Sequence, residues 1–174
     1  MHASEYYQKF VKTQGLNIAT KSLKSLQKNY ELIILEGAGS PTEINLEKSD
    51  IANMKMAEIS NSSVLLITDI DRGGSFASIV GTMSLLDKGH QKLIKGFVIN
   101  KFRGDIDILK PGFKKIKEIT KRSVLGIIPM IDFTLPEEDS LGGKAKNITW
   151  NKKNLDKIEN DIEKLSKLVN SNLN

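Results

Sequence analysis

The sequence predicts an α/β fold, a mostly parallel sheet with flanking helices. Three observations carry that prediction. Four short apolar runs, Tyr30–Leu35, Val64–Asp69, Gly96–Asn100 and Val124–Ile128, have strand length and are rich in β-branched residues. The segments between them are of helical length, several with apolar residues at helical spacing. The runs are continuous rather than alternating, which is the pattern of strands buried on both faces of a parallel sheet.

The elements follow in order. Residues 1–29 read as helical, with Leu16, Leu23 and Leu26 near helical spacing and Lys and Gln between them. The run Tyr30–Leu35 is expected to be a buried strand, ended by Glu36-Gly37-Ala38-Gly39. Ser49 or Asp50 can cap a helix over Ile51–Ile59. A second strand, Val64–Asp69, runs into Ile70-Asp71-Arg72-Gly73-Gly74, and Ser75 opens a helix to about Leu86. The third strand, Gly96–Asn100, precedes Lys101-Phe102-Arg103-Gly104-Asp105 and a helix over about Pro111–Lys121. The fourth, Val124–Ile128, stops at Pro129. Beyond Leu141-Gly142-Gly143-Lys144, residues Leu155, Ile158, Ile162, Leu165, Leu168 and Val169 describe one amphipathic helix. The expected organisation is therefore a domain over 1–143 and a helical tail over 144–174, within the size of one average domain for 174 residues.

Composition excludes several function classes. With no cysteine, a disulfide scaffold, a Cys-ligated zinc or iron–sulfur site and a thiolate nucleophile are all excluded. Two histidines, His2 and His90, argue against a histidine-built metal site or a Ser-His-Asp triad, and His90 reads as exposed between segments. The net charge of +5 comes from dispersed lysines, which read as solvated helix faces. Nucleic-acid binding would call for clustered arginine and interleaved aromatics, so no nucleic-acid partner is expected. No apolar run is long enough to cross a membrane, and the N-terminus has no signal-like apolar stretch; a cytoplasmic protein is expected.

In open parallel sheets a site lies beyond the carboxyl ends of the strands. Glu36, Asp69, Asn100 and Pro129 each close a run, and that convergence is the main functional signal. Glu36 can hold Mg²⁺ directly or through water, while Gly37, Ala38 and Gly39 let backbone N–H groups approach an oxyanion. Asp69 and Asp71 can share a metal, and Arg72 can clamp an anionic oxygen bidentately. The helix opened by Ser75 offers its N-terminus to an anion. Asn100 has a donor and an acceptor, enough to read an adenine edge. Each segment also reads as ordinary turn chemistry. No Gly-x-x-x-x-Gly-Lys-Ser/Thr loop occurs, so the residues describe half of a nucleotide site without its phosphate cradle.

Five ordered motifs carry a resemblance. They are Glu36-Gly37-Ala38-Gly39-Ser40-Pro41-Thr42-Glu43-Ile44-Asn45-Leu46, Asp50-Ile51-Ala52-Asn53-Met54, Asp69-Ile70-Asp71-Arg72-Gly73-Gly74, Gly96-Phe97-Val98-Ile99-Asn100-Lys101-Phe102-Arg103-Gly104-Asp105, and Pro136-Glu137-Glu138-Asp139-Ser140-Leu141. Together they resemble the cobyric acid synthase family, collinearly from about Met1 to Leu141. The resemblance implies a dethiobiotin-synthetase-like, P-loop NTPase-like fold lacking the P-loop segment. It implies ATP and Mg²⁺ as cofactors and a corrinoid substrate, adenosylcobyrinic acid a,c-diamide, whose peripheral carboxylates are amidated with ammonia from glutamine. It gives Glu36 the metal role, and Gly37, Ala38, Gly39, Asn100 and Arg103 the nucleotide side. Asp69, Asp71 and Arg72 fall on the substrate-side loop as catalytic candidates. The family's P-loop and glutaminase parts do not occur in this sequence. The chain is therefore expected to be incomplete or inactive alone, either as a fragment or as one piece of a split enzyme whose P-loop and glutaminase lie on separate polypeptides, with a homo-oligomer left open. The alternative is a catalytically silent nucleotide- or partner-binding module of the same fold.

Overall fold

A computed structural model describes residue 10 and residues 14–44, 50–131 and 152–171. Helix α1 spans Leu16–Asn29 and α2 spans Met54–Ser60. Strand β1, Val64–Asp69, leads to α3, Ser75–Leu85, and the short α4, Lys88–Leu93. Strand β2, Ile94–Phe102, leads through a 3₁₀ turn at Ile106–Leu109 to α5, Lys110–Thr120, and then to β3, Ser123–Pro129. Helix α6 spans Lys152–Ser171. The strands form one parallel sheet in the order β1-β2-β3, as the continuous apolar runs required.

The sheet's register explains where the core sits. Leu66 pairs with Phe97 and Phe97 with Val124; Thr68 pairs with Ile99 and Ile99 with Ile127. Side chains two apart share a face. That face packs on Ile79 and Met83 of α3 and Ile116 of α5, with Phe97, Ile99 and Ile79 fully buried. Phe76 and Phe113 meet edge to face between the two helices, centroids 6.1 Å apart. The opposite face shows Leu65, Ile67 and Leu125 more than half exposed.

The first expected strand does not form. Residues 30–35 run as an irregular, exposed segment, with Leu32 79% and Ile34 86% exposed. Apolar, β-branched composition makes a strand only where a neighbour supplies hydrogen-bonding partners. Among the described residues β1 pairs only with β2, and β2 otherwise with β3, so nothing offers this run a ladder. Smaller differences have local causes. Helix α2 begins at Met54 because Asp50 caps it from outside, accepting from the amides of Ala52, Asn53 and Lys55. His90, expected to be exposed between segments, instead lies in α4 with its side chain 26% exposed and its Nδ1 2.7 Å from Asp87 Oδ2. The tail helix forms over Lys152–Ser171. The Pro136–Leu141 motif, the 143/144 boundary, Ser49 and the Asn45-Leu46 end of the first motif lie outside the described residues.

Candidate functional site

The carboxyl ends of β1 and β2 bring five of the predicted residues into one cluster. Asp69 and Asn100 are register partners, and the amide of Ile70 donates to the Asn100 carbonyl at 3.0 Å. The chain then turns through Gly73 and Gly74, both at positive φ (75° and 69°), which glycine adopts without a Cβ penalty. That turn delivers Ser75, buried, to the start of α3.

Ion pairs knit the two strand ends together. Asp69 Oδ2 lies 2.7 Å from Lys101 Nζ and 3.7 Å from Arg72 Nε, while Asp69 Oδ1 accepts the Asp71 amide at 3.0 Å. Asp71 Oδ1 lies 3.5 Å from Arg103 Nε. The Lys101 ammonium, and after it the Asp71 amide and the Arg72 guanidinium, hold the Asp69 carboxyl below the usual carboxylate range, opposed by partial desolvation. Asn100 is half-buried, and its Oδ1 accepts the Lys101 amide at 2.9 Å. Lys101 is the member that the sequence reading passed over. The signal was its place immediately after Asn100, at a strand end facing two aspartates.

Glu36, Gly37, Ala38 and Gly39 lie elsewhere in the bonding pattern. Asn53 Nδ2 donates to the Ala38 carbonyl at 2.7 Å and to the Ser40 carbonyl at 3.4 Å, tying this turn to the start of α2. Among the described residues no hydrogen bond or ion pair joins Glu36–Gly39 to Asp69, Asp71, Arg72, Asn100 or Arg103. A cavity of ≈ 540 Å³ also lies apart from the rim. It is lined by Thr42, Met54, Leu86 and His90 among others, and by none of the cluster.

The donor set can be tested against a magnesium nucleotide. Arg72, Lys101 and Arg103 are cations whose side chains are 85%, 43% and 66% exposed, and suit an oxyanion. Among the described residues no three His, Asp or Glu side chains are grouped to hold a metal. Mg²⁺ is commonly held by one or two carboxylates plus phosphate oxygens and waters. The rim residues therefore fit such an ion as one carried on a nucleotide.

Comparison with known proteins bears on the whole arrangement. The family described as an AAA domain matches residues 4–138. A probable cobyric acid synthase of Methanococcus vannielii is 52% identical over 151 residues, covering 86% of this chain and 30% of the relative. One from Thermococcus kodakarensis is 54% identical over 123 residues, 71% of this chain and 26% of the relative. One from Methanothermobacter thermautotrophicus is 52% identical over 141 residues, 80% and 28%. The chain thus spans about three-tenths of the length of the curated relatives it matches. No solved structure matches it significantly.

Proposed function

The chain belongs to the AAA domain family, and from that premise we propose that it supplies part of an ATP-dependent amidoligase of cobalamin synthesis. The reading goes to the reaction that the family resemblance implies: amidation of peripheral carboxylates of adenosylcobyrinic acid a,c-diamide. The observation that carries it is the cationic rim where β1 and β2 end, with Asp69 and Asn100 in register and Arg72, Lys101 and Arg103 around them.

A carboxylate is a poor acyl donor because its oxygen is a poor leaving group. ATP with Mg²⁺ supplies the phosphoryl group that converts it to an acyl phosphate. Ammonia then adds to the acyl carbon, phosphate leaves, and a proton lost from nitrogen gives the amide. This chain's residues serve the positioning part of that chemistry. Arg72 binds an anionic oxygen of the acid or of the transferring group, where preorganised donors stabilise developing charge. Asp69 and Asp71 orient the cations. Asn100 and Arg103 lie on the nucleotide side, and Glu36 with Gly37, Ala38 and Gly39 forms the second lining toward metal and phosphate.

The bare sheet face at Leu65, Ile67 and Leu125 supports the partners proposed, polypeptide segments that carry a phosphate-binding loop and a glutaminase. No described helix is long and apolar enough to cross a membrane. A reaction drawing on ATP and glutamine makes the cytoplasm the proposed compartment.

The test is reconstitution. The chain, supplied with P-loop and glutaminase polypeptides, ATP, Mg²⁺, glutamine and the corrinoid acid, should convert carboxylates to amides, read by mass spectrometry. Glu36→Ala and Arg72→Ala should each abolish conversion. Amidation unaffected by either would remove the site assignment. Tight nucleotide binding without any amide would favour the catalytically silent module.

A further inference from the structure

Strand β2 carries one residue more than β3 can match at its carboxyl end. Ile99 pairs with Ile127 and Phe102 with Pro129, so Asn100 and Lys101 together oppose the single residue Ile128. Lys101 takes up the excess in a left-handed conformation, φ 60°. That conformation is unfavourable for a residue with a Cβ and natural for glycine. A bulge of this kind bends a strand and re-aims a side chain. In an unbroken strand Asn100 and Lys101 would lie on opposite faces. Here Lys101 Nζ instead reaches Asp69 Oδ2, the carboxylate of Asn100's own register partner. Asn61 and Lys121 hold the same conformation as helix C-caps, whereas Lys101 holds it within a strand, and strain of that kind clusters at functional sites, ligand clamps among them.

The bonding of Asp69 defines what the clamp can take. Its Oδ1 is occupied by the Asp71 amide, and its Oδ2 faces Lys101 and Arg72 together. A carboxylate so engaged gathers cations and offers little to a metal. Asp71 brings Arg103 to the same rim. Three cations against two carboxylates leave one net positive charge, on side chains that all reach solvent.

We infer that Lys101 is a further oxyanion-binding residue of this rim, working with Arg72 and Arg103, and that Asp69 is the residue positioning it rather than a metal ligand. This rests on the function proposed above and deepens it by naming what the rim grips. The shared chemistry is an oxyanion, either a carboxylate of the acid or a phosphate of the nucleotide.

Calorimetry on the full chain tests it, with tricarballylate as the carboxylate probe and inorganic pyrophosphate as the phosphate probe. At least one should bind, and which one identifies the source. Lys101→Met should weaken that binding about ten-fold, the effect of removing a charge-assisted hydrogen bond. Lys101→Arg, which keeps the charge, should recover binding. Lys101→Asn removes the ammonium while tolerating the left-handed turn, so it should lose binding even if the Met variant folds poorly. Absence of binding by the unaltered chain to both probes, or binding by the Met and Asn variants as tight as that of the unaltered chain, would overturn the inference. The two readings fail separately. Lys101-dependent binding with no amide in the reconstituted system would sink the proposed function alone. Normal amidation by Lys101→Met at unchanged KM would sink this inference alone.

Discussion

Asn53 Nδ2 donates to the carbonyl of Ala38 across fifteen residues of chain, at 2.7 Å, and Asn53 Oδ1 stands where a Cβ on Gly37 would fall. The two contacts bind the Glu36–Ser40 turn to the head of α2. Asn53→Ala should remove about 0.5–1.5 kcal/mol of stability. Gly37→Ala should displace the same amide from the other side. The paired variant should therefore cost less than the sum of the single ones. Hydrogen exchange should quicken at residues 38–42 before the amides of β2 respond. Uniform quickening over the whole sheet would show that the turn is not an independent unit.

Asp87 closes the start of α4. Its side chain accepts the His90 amide at 2.9 Å, and His90 Nδ1 lies 2.7 Å from its other oxygen. The His90 amide first, and then the His90 side chain and the amides of Gly89 and Asp87, hold Asp87 below its ordinary range, opposed by partial desolvation. A carboxyl lowered in the folded state stabilises the fold above its unfolded pKa, and that contribution is lost as pH falls through the folded value. Asp87→Ala should therefore cost about 1 kcal/mol at neutral pH, with the deficit closing below about pH 4. Denaturant midpoints across that range check it. A deficit that stays constant with pH would assign the cost to packing instead of the charged cap.

How much of this was legible in the sequence divides along physical lines. Val64–Asp69, Gly96–Asn100 and Val124–Ile128 formed strands because each finds a hydrogen-bonding neighbour as well as an apolar face. Tyr30–Leu35 has the composition and lacks the neighbour, and composition cannot reveal that. The clustering of Asp69, Asp71, Arg72, Asn100 and Arg103 followed from parallel strands ending together. Lys101 was hidden because a regular strand would aim it away, and the bulge that turns it is a property of the pairing with β3. His90 could have been read correctly from Asp87, three residues earlier, at N-cap spacing.

The contact between α3 and α5 depends on a missing side chain. A Cβ on Gly112 would fall on the ring of Phe76, which meets Phe113 edge to face. Gly112→Ala gains helix propensity of roughly 1 kcal/mol but must push that ring aside. The expected balance is a loss of about 1–2 kcal/mol, since overpacking a filled contact commonly costs 1–3. Phe76→Leu in the same chain should recover part of it by clearing the space. A Gly112→Ala chain more stable than its parent would mean the Phe76 ring moves freely.

The uncovered face of the sheet makes an opposite demand. Leu65, Ile67 and Leu125 are 52%, 59% and 55% exposed, while their strand neighbours Leu66, Phe97 and Val124 lie against the core. Apolar groups left in water contribute little to folding and much to association. Ile67→Thr keeps the β-branched shape that suits a strand, so in the isolated chain it should change stability by no more than about 0.5 kcal/mol. Its self-association, followed by light scattering against concentration, should fall. The same substitution in the reconstituted system should weaken capture of the P-loop polypeptide, because there the side chain loses a packing partner. A loss above about 2 kcal/mol in the chain alone would show Ile67 to be packed already, since only buried apolar positions lose that much.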